Sequence, residues 1–187
     1  MIKSTGKERI LEEAIFNDFI RQLLPVKNIM DDLPKDRAEN PIKLFTHFGV
    51  GMKIYEVPLT PSTLAEKMKG FTSLQKSNES PLKELKQSFN AFNKNCYTFR
   101  LHLTEEVVYY RDLEALLTIV STFMDFGEDN DPYGLHDFAA FEVDPVVGNF
   151  FFKFDFFEDR TCKFGLEPLH PTKRAYRLLT ILHSSEY

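Results

Sequence analysis

Residues 129–138, DNDPYGLHDF, gather the side chains of this chain that are best suited to chemistry. The carboxylates of Asp129, Asp131 and Asp137 and the imidazole of His136 surround a Pro-Tyr-Gly turn. Such groups can transfer protons or bind a metal ion. Asx side chains before Pro and Gly also hydrogen-bond their own turn, and this explains every small polar residue present. The turn interpretation is therefore favoured, and it can coexist with a function.

A calcium loop is disfavoured by its ligand count. Asp129 and Asp131 would take positions one and three, and Gly134 would take position six. Tyr133 would then stand at position five and Ala140 at position twelve, where a bidentate Glu is needed. The segment therefore does not supply the oxygen ligands of a calcium site.

A transition-metal site or a catalytic site would depend on one imidazole. His136 could act with Asp129, Asp131, Asp137 or the more distant Asp155, but no second histidine stands at a ligand spacing. We therefore predict no metal and no cofactor. Catalysis by His136 with Asp131, Asp137 or Asp155, as in a small hydrolase, stays open as an alternative.

The segment NFFFKFDFF carries a second group of charges. Strand alternation places Lys153 and Asp155 on one face and Phe152, Phe154 and Phe156 on the other. A Lys-Asp pair could transfer protons inside a cleft, but a solvent-facing charged strand face is the ordinary result of alternation. We interpret the pair as surface and the phenylalanines as core.

Composition is that of a globular protein, and the formal net charge is -5. This charge disfavours nonspecific attraction to nucleic acid and favours a protein partner with a basic surface. The sequence contains neither an apolar run long enough for a membrane span nor the apolar core of a signal peptide. We therefore predict a cytoplasmic protein without a membrane partner, and the oligomeric state stays open.

Hydrophobic spacing predicts an α+β fold in which helices cover an antiparallel β-sheet. An amphipathic helix at 7–24 forms an N-terminal extension. We divide the chain into an N-terminal helical and mixed extension, 1–79, and an α+β domain, 80–187, that folds without it. The C-terminal segment is ambiguous between helix and strand, and its Thr, Ile and Tyr residues favour strand. Helices are predicted near 81–93 and 111–125, and strands near 96–103, 138–143, 149–157 and 175–183. The strands at 138–143 and 149–157 are separated by DPVVG, which predicts a β-hairpin.

Three motifs in the second half resemble a family of small bacterial proteins, DUF3768. They are FMDFGEDNDPYGLHDFAAFEV, NFFFKFDFFE and EPLHPTKRAYRLLTILHSSEY, and together they place the resemblance at roughly residues 84–187. This chain departs from the family pattern at Tyr133, Leu135 and Ala139, where the family has His, Glu and Gly. The resemblance implies no activity.

Small size, acidic charge and the absence of standard catalytic motifs favour a non-catalytic binding or regulatory protein that acts through an acidic and aromatic surface. We predict that it is a mobile-element or phage accessory protein that blocks a host defence complex. The residues predicted to contact the partner are Glu128, Asp129, Asp131, Tyr133, Glu158 and Asp159.

Overall fold

The computed structural model describes residues 6–33, 35, 53–59, 97–159, 161–167 and 176–187. Within these ranges the chain forms four α-helices and five β-strands, numbered here in chain order. The helices are α1 (Gly6–Gln22), α2 (Val26–Asp32), α3 (Glu105–Tyr109) and α4 (Leu113–Thr122). The strands are β1 (Lys53–Leu59), β2 (Tyr97–Leu103), β3 (Phe138–Asp144), β4 (Gly148–Phe157) and β5 (Tyr176–His183), and a 3-10 turn, Ser184–Glu186, follows β5.

The five strands form one sheet in the order β1-β2-β5-β4-β3. Three of the pairs are antiparallel, and the pair of β2 with β5 is parallel. The predicted α+β class is confirmed, but the sheet is mixed rather than wholly antiparallel. The parallel pair arises because β5 inserts between β2 and β4 after a long connection, and sequence alternation carries no information on that pairing.

The predicted strand character of the C-terminal segment is confirmed by β5, and the four predicted strands correspond to β2, β3, β4 and β5. β3 and β4 form the predicted hairpin. Its turn is closed by Asp144, whose side chain accepts a hydrogen bond from the Val146 amide at 2.8 Å. Gly148 follows with a φ of 103°, which favours glycine. The predicted helix at 111–125 is shorter than expected, and the one at 81–93 lies outside the described residues.

The main apolar core lies on one face of the sheet. Phe150, Phe152, Phe154 and Phe156 of β4 are buried there, while Lys153 of the same strand is partly exposed. This alternation is the one predicted from the sequence. Helices α1, α2 and α4 supply the opposite side of the core.

The N-terminal helices share this core with the sheet. Their buried apolar side chains belong to the same cluster as β4 and β5, and β1 pairs along its whole length with β2. Independent folding of residues 80–187 stays a prediction, but the described N-terminal elements are packed as part of one core. The members from α1, α2 and their flanking residues are Ile15, Phe19, Ile20, Leu24, Ile29 and Leu33.

Across the described ranges, no helix combines the length and the apolar character needed to cross a membrane.

Candidate functional site

The loop that joins α4 to β3 contains the DNDPYGLHDF segment and is held by its own hydrogen bonds. The Asp131 carboxylate accepts the amides of Leu135 and His136, each at 2.9 Å. The amide of Gly134 donates to the carbonyl of Asp131 at 3.1 Å. Gly134 and His136 have φ values of 68° and 54°, so the chain turns twice through the left-handed region. The turn interpretation is confirmed, with Asp131 as the residue that closes the turn.

His136 is fixed by three neighbours. Its Nδ1 lies 2.9 Å from both carboxylate oxygens of Asp18 on α1. Its ring stacks on Phe126 with 3.9 Å between the ring centroids. Its Nε2 lies 3.9 Å from Asp131 Oδ2. The imidazole is therefore held between two carboxylates, and only 24% of the side chain is exposed.

Asp18 also binds Arg21, one helical turn further along α1. Both side chains are buried, and Arg21 Nη2 lies 2.5 Å from Asp18 Oδ1. Arg21 donates to the carbonyls of Val120 and Phe123 at 2.8 and 2.9 Å, which are acceptors at the C-terminal end of α4. Burial lowers the pKa of the Arg21 guanidinium. Arg21 thus supplies the cation that favours a helix C-terminus, and Asp18 offsets its charge.

The rings of Phe126 and Phe152 complete the surroundings of Arg21. Each ring centroid lies 4.9 Å from the guanidinium carbon. A planar guanidinium is well suited to such stacking, and a Lys ammonium would not reproduce it. The Arg21 Nε atom is buried without a hydrogen-bond partner. The Arg21 side chain is therefore held by its ion pair with Asp18 and by stacking on two rings as well as by hydrogen bonds.

A second buried arginine ties α1 to β5 and to the loop. Arg177 donates through Nε to Asn17 Oδ1 at 3.1 Å and forms an ion pair with Glu13. Asn17 in turn donates to the carbonyl of Leu135 at 3.0 Å. The Glu13 and Asn17 side chains of α1 therefore contact β5 and the loop. We call Asp18, Arg21, Asp131 and His136 the polar clamp.

Asp137 lies next to the polar clamp, and burial raises its pKa to about 6, with the Asp131 charge adding to the effect. Its carbonyl accepts the amide of Phe154 at 2.7 Å and so begins the pairing of β3 with β4. With a pKa of about 6, the Asp137 carboxyl changes from neutral to negatively charged as the pH rises toward 7.

We expect replacement of Asp137 by asparagine to raise the melting temperature at pH 7 and to leave it unchanged near pH 4. The folded carboxyl titrates at about 6 and the ordinary value is 3.8, so the folded state binds more protons between these values. Stability contributed by the protonated carboxyl is therefore lost as pH rises through that window. Thermal melts from pH 4 to 8 measure this, with Asp129→Asn, an exposed acid of the same loop, as control. Equal pH profiles for Asp137→Asn and the wild type would contradict the assignment.

The residues predicted to contact a partner do not all lie on the surface. Glu128, Asp129 and Tyr133 are exposed, and Tyr133 keeps 75% of its surface accessible to solvent. Asp131 is buried inside the loop instead. Glu158 and Asp159 are exposed beyond the end of β4.

Asp159 and Asp155 take part in contacts of their own. Asp159 binds the amide and hydroxyl of Thr161 at 2.7 and 2.6 Å, and these bonds lower the pKa of its carboxyl. Asp155 forms an ion pair with Lys153 at 3.0 Å. Because Lys153 and Asp155 share the sheet face opposite to Phe152, Asp155 does not join His136, Asp131 and Asp137.

Among the described residues, no group of three or more His, Cys, Asp or Glu side chains is arranged to hold a metal ion. The chemistry available at the polar clamp is that of an imidazole oriented by one carboxylate and facing a second.

Three of the residues that hold the loop from α1, namely Asn17, Asp18 and Arg21, were not selected from the sequence. Their partners lie about a hundred residues further along the chain. The sequence signal that could have identified them is the pair Asn17 and Asp18, which interrupts a run of apolar residues on the predicted helix.

The motifs that gave the resemblance lie on the elements described above: the loop with β3, then β4, then β5. A family model described as "Protein of unknown function (DUF3768)" matches residues 68–186. The chain belongs to the DUF3768 family. No curated protein and no solved structure matches the chain.

The DUF3768 match contains the loop and four of the five strands but not α1. The family region therefore carries His136 and Asp131, while the His136 partner Asp18, and Arg21 that pairs with Asp18, come from the N-terminal part of this chain.

Proposed function

We propose that this DUF3768 protein is a non-catalytic binding protein that captures a basic protein surface with the loop at 125–137. The observation that carries the proposal is the division of this loop into two sides. Its inward groups, Asp131 and His136, are fixed by the polar clamp, while Tyr133 projects from it with 75% exposure. Because the loop backbone is already fixed, little loop ordering is needed when a partner contacts Tyr133.

The charge around the loop favours a basic partner. Between Arg111 and Lys153 the sequence has no Lys or Arg, and it has nine Asp and Glu residues. Six of these acids are exposed, and they spread from α4 through the loop to β3. Such a single-sign field speeds association with a basic surface and makes it sensitive to salt. The exposed acids are Asp112, Glu114, Asp125, Glu128, Asp129 and Glu142.

A basic groove that binds nucleic acid is one class of surface that fits this description. An acidic protein can occupy such a groove in place of phosphates, because both present negative charge to the same Lys and Arg side chains. This supports an accessory role in blocking a host defence complex, which the sequence predicted.

We expect charge reversal at Glu128, Asp129 and Glu158 to weaken capture of a basic partner by roughly tenfold or more at low salt. The partner is isolated by pull-down from a bacterial lysate, purified and titrated against each variant. The control reverses two exposed acids of α2, Asp31→Lys and Asp32→Lys, and we expect it to bind as the wild type does. Thermal melts of each variant separate loss of binding from loss of folding.

Equal binding by the triple variant and the wild type would contradict the proposal. The alternative is a hydrolase, which the contact between Asp18 and His136 favours because an oriented imidazole can act as a general base. Substrate turnover that disappears in His136→Gln, without a change in folding, would replace the binding proposal with this activity.

A further inference from the structure

Among the described strands, β3 lies at an edge of the sheet, and one side chain already covers the middle of the edge that faces away from β4. The Asn130 amide donates to the carbonyl of Ala140 at 3.4 Å and accepts the amide of Ala140 at 3.3 Å. A side-chain amide presents the same donor and acceptor as a peptide group. Asn130 therefore makes, at one residue, the pair of contacts that a neighbouring strand would make.

The contacts of Asn130 show which backbone groups of β3 face away from β4. The carbonyl of Asp137 binds the amide of Phe154 of β4, whereas the groups of Ala140 face Asn130. Since the direction alternates along an antiparallel strand, the groups of Phe138 and the amide of Glu142 point outward with the groups of Ala140, and Glu142 is the last residue before the register with β4 shifts. Glu142 is exposed, so its outward amide lies where another strand could reach it.

The surroundings of this edge are acidic. Glu128 and Asp129 immediately precede Asn130 in the loop, and Glu142 lies on β3 itself. An open edge normally invites pairing with a second copy of the same chain, but like charges on both edges oppose that pairing. The same charges favour an extended segment that carries Lys or Arg.

We propose that the β3 edge binds an extended basic segment of a protein partner as an added strand, and that the Asn130 amide occupies the edge until the partner strand takes its place. The proposal rests on the proposed function, and it names the binding mode. Main-chain hydrogen bonds to Ala140 and Glu142 supply affinity, while the acids near the edge select for positive charge.

The probe is a fluorescent peptide of about eight residues that alternates Val and Lys, a length typical of one strand. A peptide of the same composition with N-methylated backbone amides on its pairing edge is the control. We expect the first peptide to bind the full chain more tightly than the second. We also expect amide hydrogen exchange at Ala140 and Glu142 to slow when the first peptide is bound.

Two pairs of variants test the backbone contacts. Glu142→Pro and Glu142→Ala both remove the charge, but only the proline removes the outward N–H. Edge strands tolerate proline where the N–H faces away from the sheet. We expect roughly tenfold weaker peptide binding for the proline than for the alanine variant, the effect of one lost main-chain hydrogen bond. Asn130→Ala frees the groups of Ala140 and is expected to tighten binding, whereas Asn130→Gln, which keeps an amide, serves as its control.

Equal peptide binding by Glu142→Pro and Glu142→Ala, with no gain for Asn130→Ala, would overturn strand addition. If reversal of Glu128 and Asp129 still abolished binding in that case, the acidic surface would stand and only the binding mode would fail. Concentration-dependent dimers of Asn130→Ala, without tighter peptide binding, would overturn the choice of a basic partner. Melts of all four variants confirm that each is folded at the assay temperature.

Discussion

Replacement of Asp18 by alanine is expected to lower the free energy of unfolding by about 3–5 kcal/mol, the range found when one partner of a buried ion pair is removed. Asp18 is the only described acid within ion-pair distance of Arg21, and it also contacts His136 at 2.9 Å. Its removal leaves the buried guanidinium without a counter-charge and releases the imidazole that holds the loop. Denaturant unfolding of the full chain measures the change. Asp31→Ala, at an exposed acid of α2, is the control.

A double variant separates the charge from the packing. Asp18→Ala with Arg21→Met removes both charges, and the Met side chain retains apolar contact with Phe126 and Phe152. We expect the double variant to be more stable than Asp18→Ala alone, because no uncompensated charge remains buried. If Asp18→Ala were as stable as Asp31→Ala, the polar clamp would not be holding the loop and the binding proposal would lose its fixed scaffold.

Local patterns predicted the elements of the sheet well because burial and exposure alternate along them. β4 is the clearest example: four alternate phenylalanines are buried, and Lys153 and Asp155 lie on the other face. The hairpin of β3 and β4 followed from the turn residues between two apolar strands, and Asp144 and Gly148 act there as turn residues do.

Patterns of this kind could not show contacts between distant parts of the chain. The parallel pairing of β2 with β5 joins segments more than seventy residues apart, and neither segment carries a sign of its neighbour. For the same reason, α1 was predicted to be an appended layer. Its Asp18 and Arg21 stand three residues apart, which is the spacing of an ordinary solvated pair, and only the tertiary structure shows that both are buried.

The candidate site was predicted in part. His136 and Asp131 were selected for their chemistry, and the structure brings them together with Asp18. Residue type alone does not predict the exposure of Tyr133, because large aromatic side chains are usually at least partly buried. The Tyr133 side chain is 75% exposed. Tyr133 lies inside the tight turn that Asp131 closes, since the Asp131 carboxylate accepts the amides of Leu135 and His136 on the far side of Tyr133.

The packing of α1 and α2 bears directly on how the chain divides. At most 3% of the surface is exposed for each of Ile15, Phe19 and Ile20, and Ile29 of α2 is fully buried. Burial of an apolar side chain of this size is worth about 1.5–3 kcal/mol. Several such side chains together approach the whole stability of an ordinary domain, which is about 5–15 kcal/mol.

A chain that begins at Ser80 is therefore expected to lack a cooperative unfolding transition, contrary to the independent folding that the sequence predicted. It loses the apolar side chains of α1 and α2, the counter-charge of Asp18 and the pairing of β1 with β2. Circular dichroism melts of the 80–187 fragment and the full chain measure this. A synthetic peptide of residues 6–33, added to the fragment, is expected to restore part of the transition, and the same peptide with Phe19→Ala and Ile20→Ala is the matched control. A fragment that melts cooperatively on its own would show that 80–187 is an independent domain, and α1 would then be a layer that fixes the loop without being needed for folding.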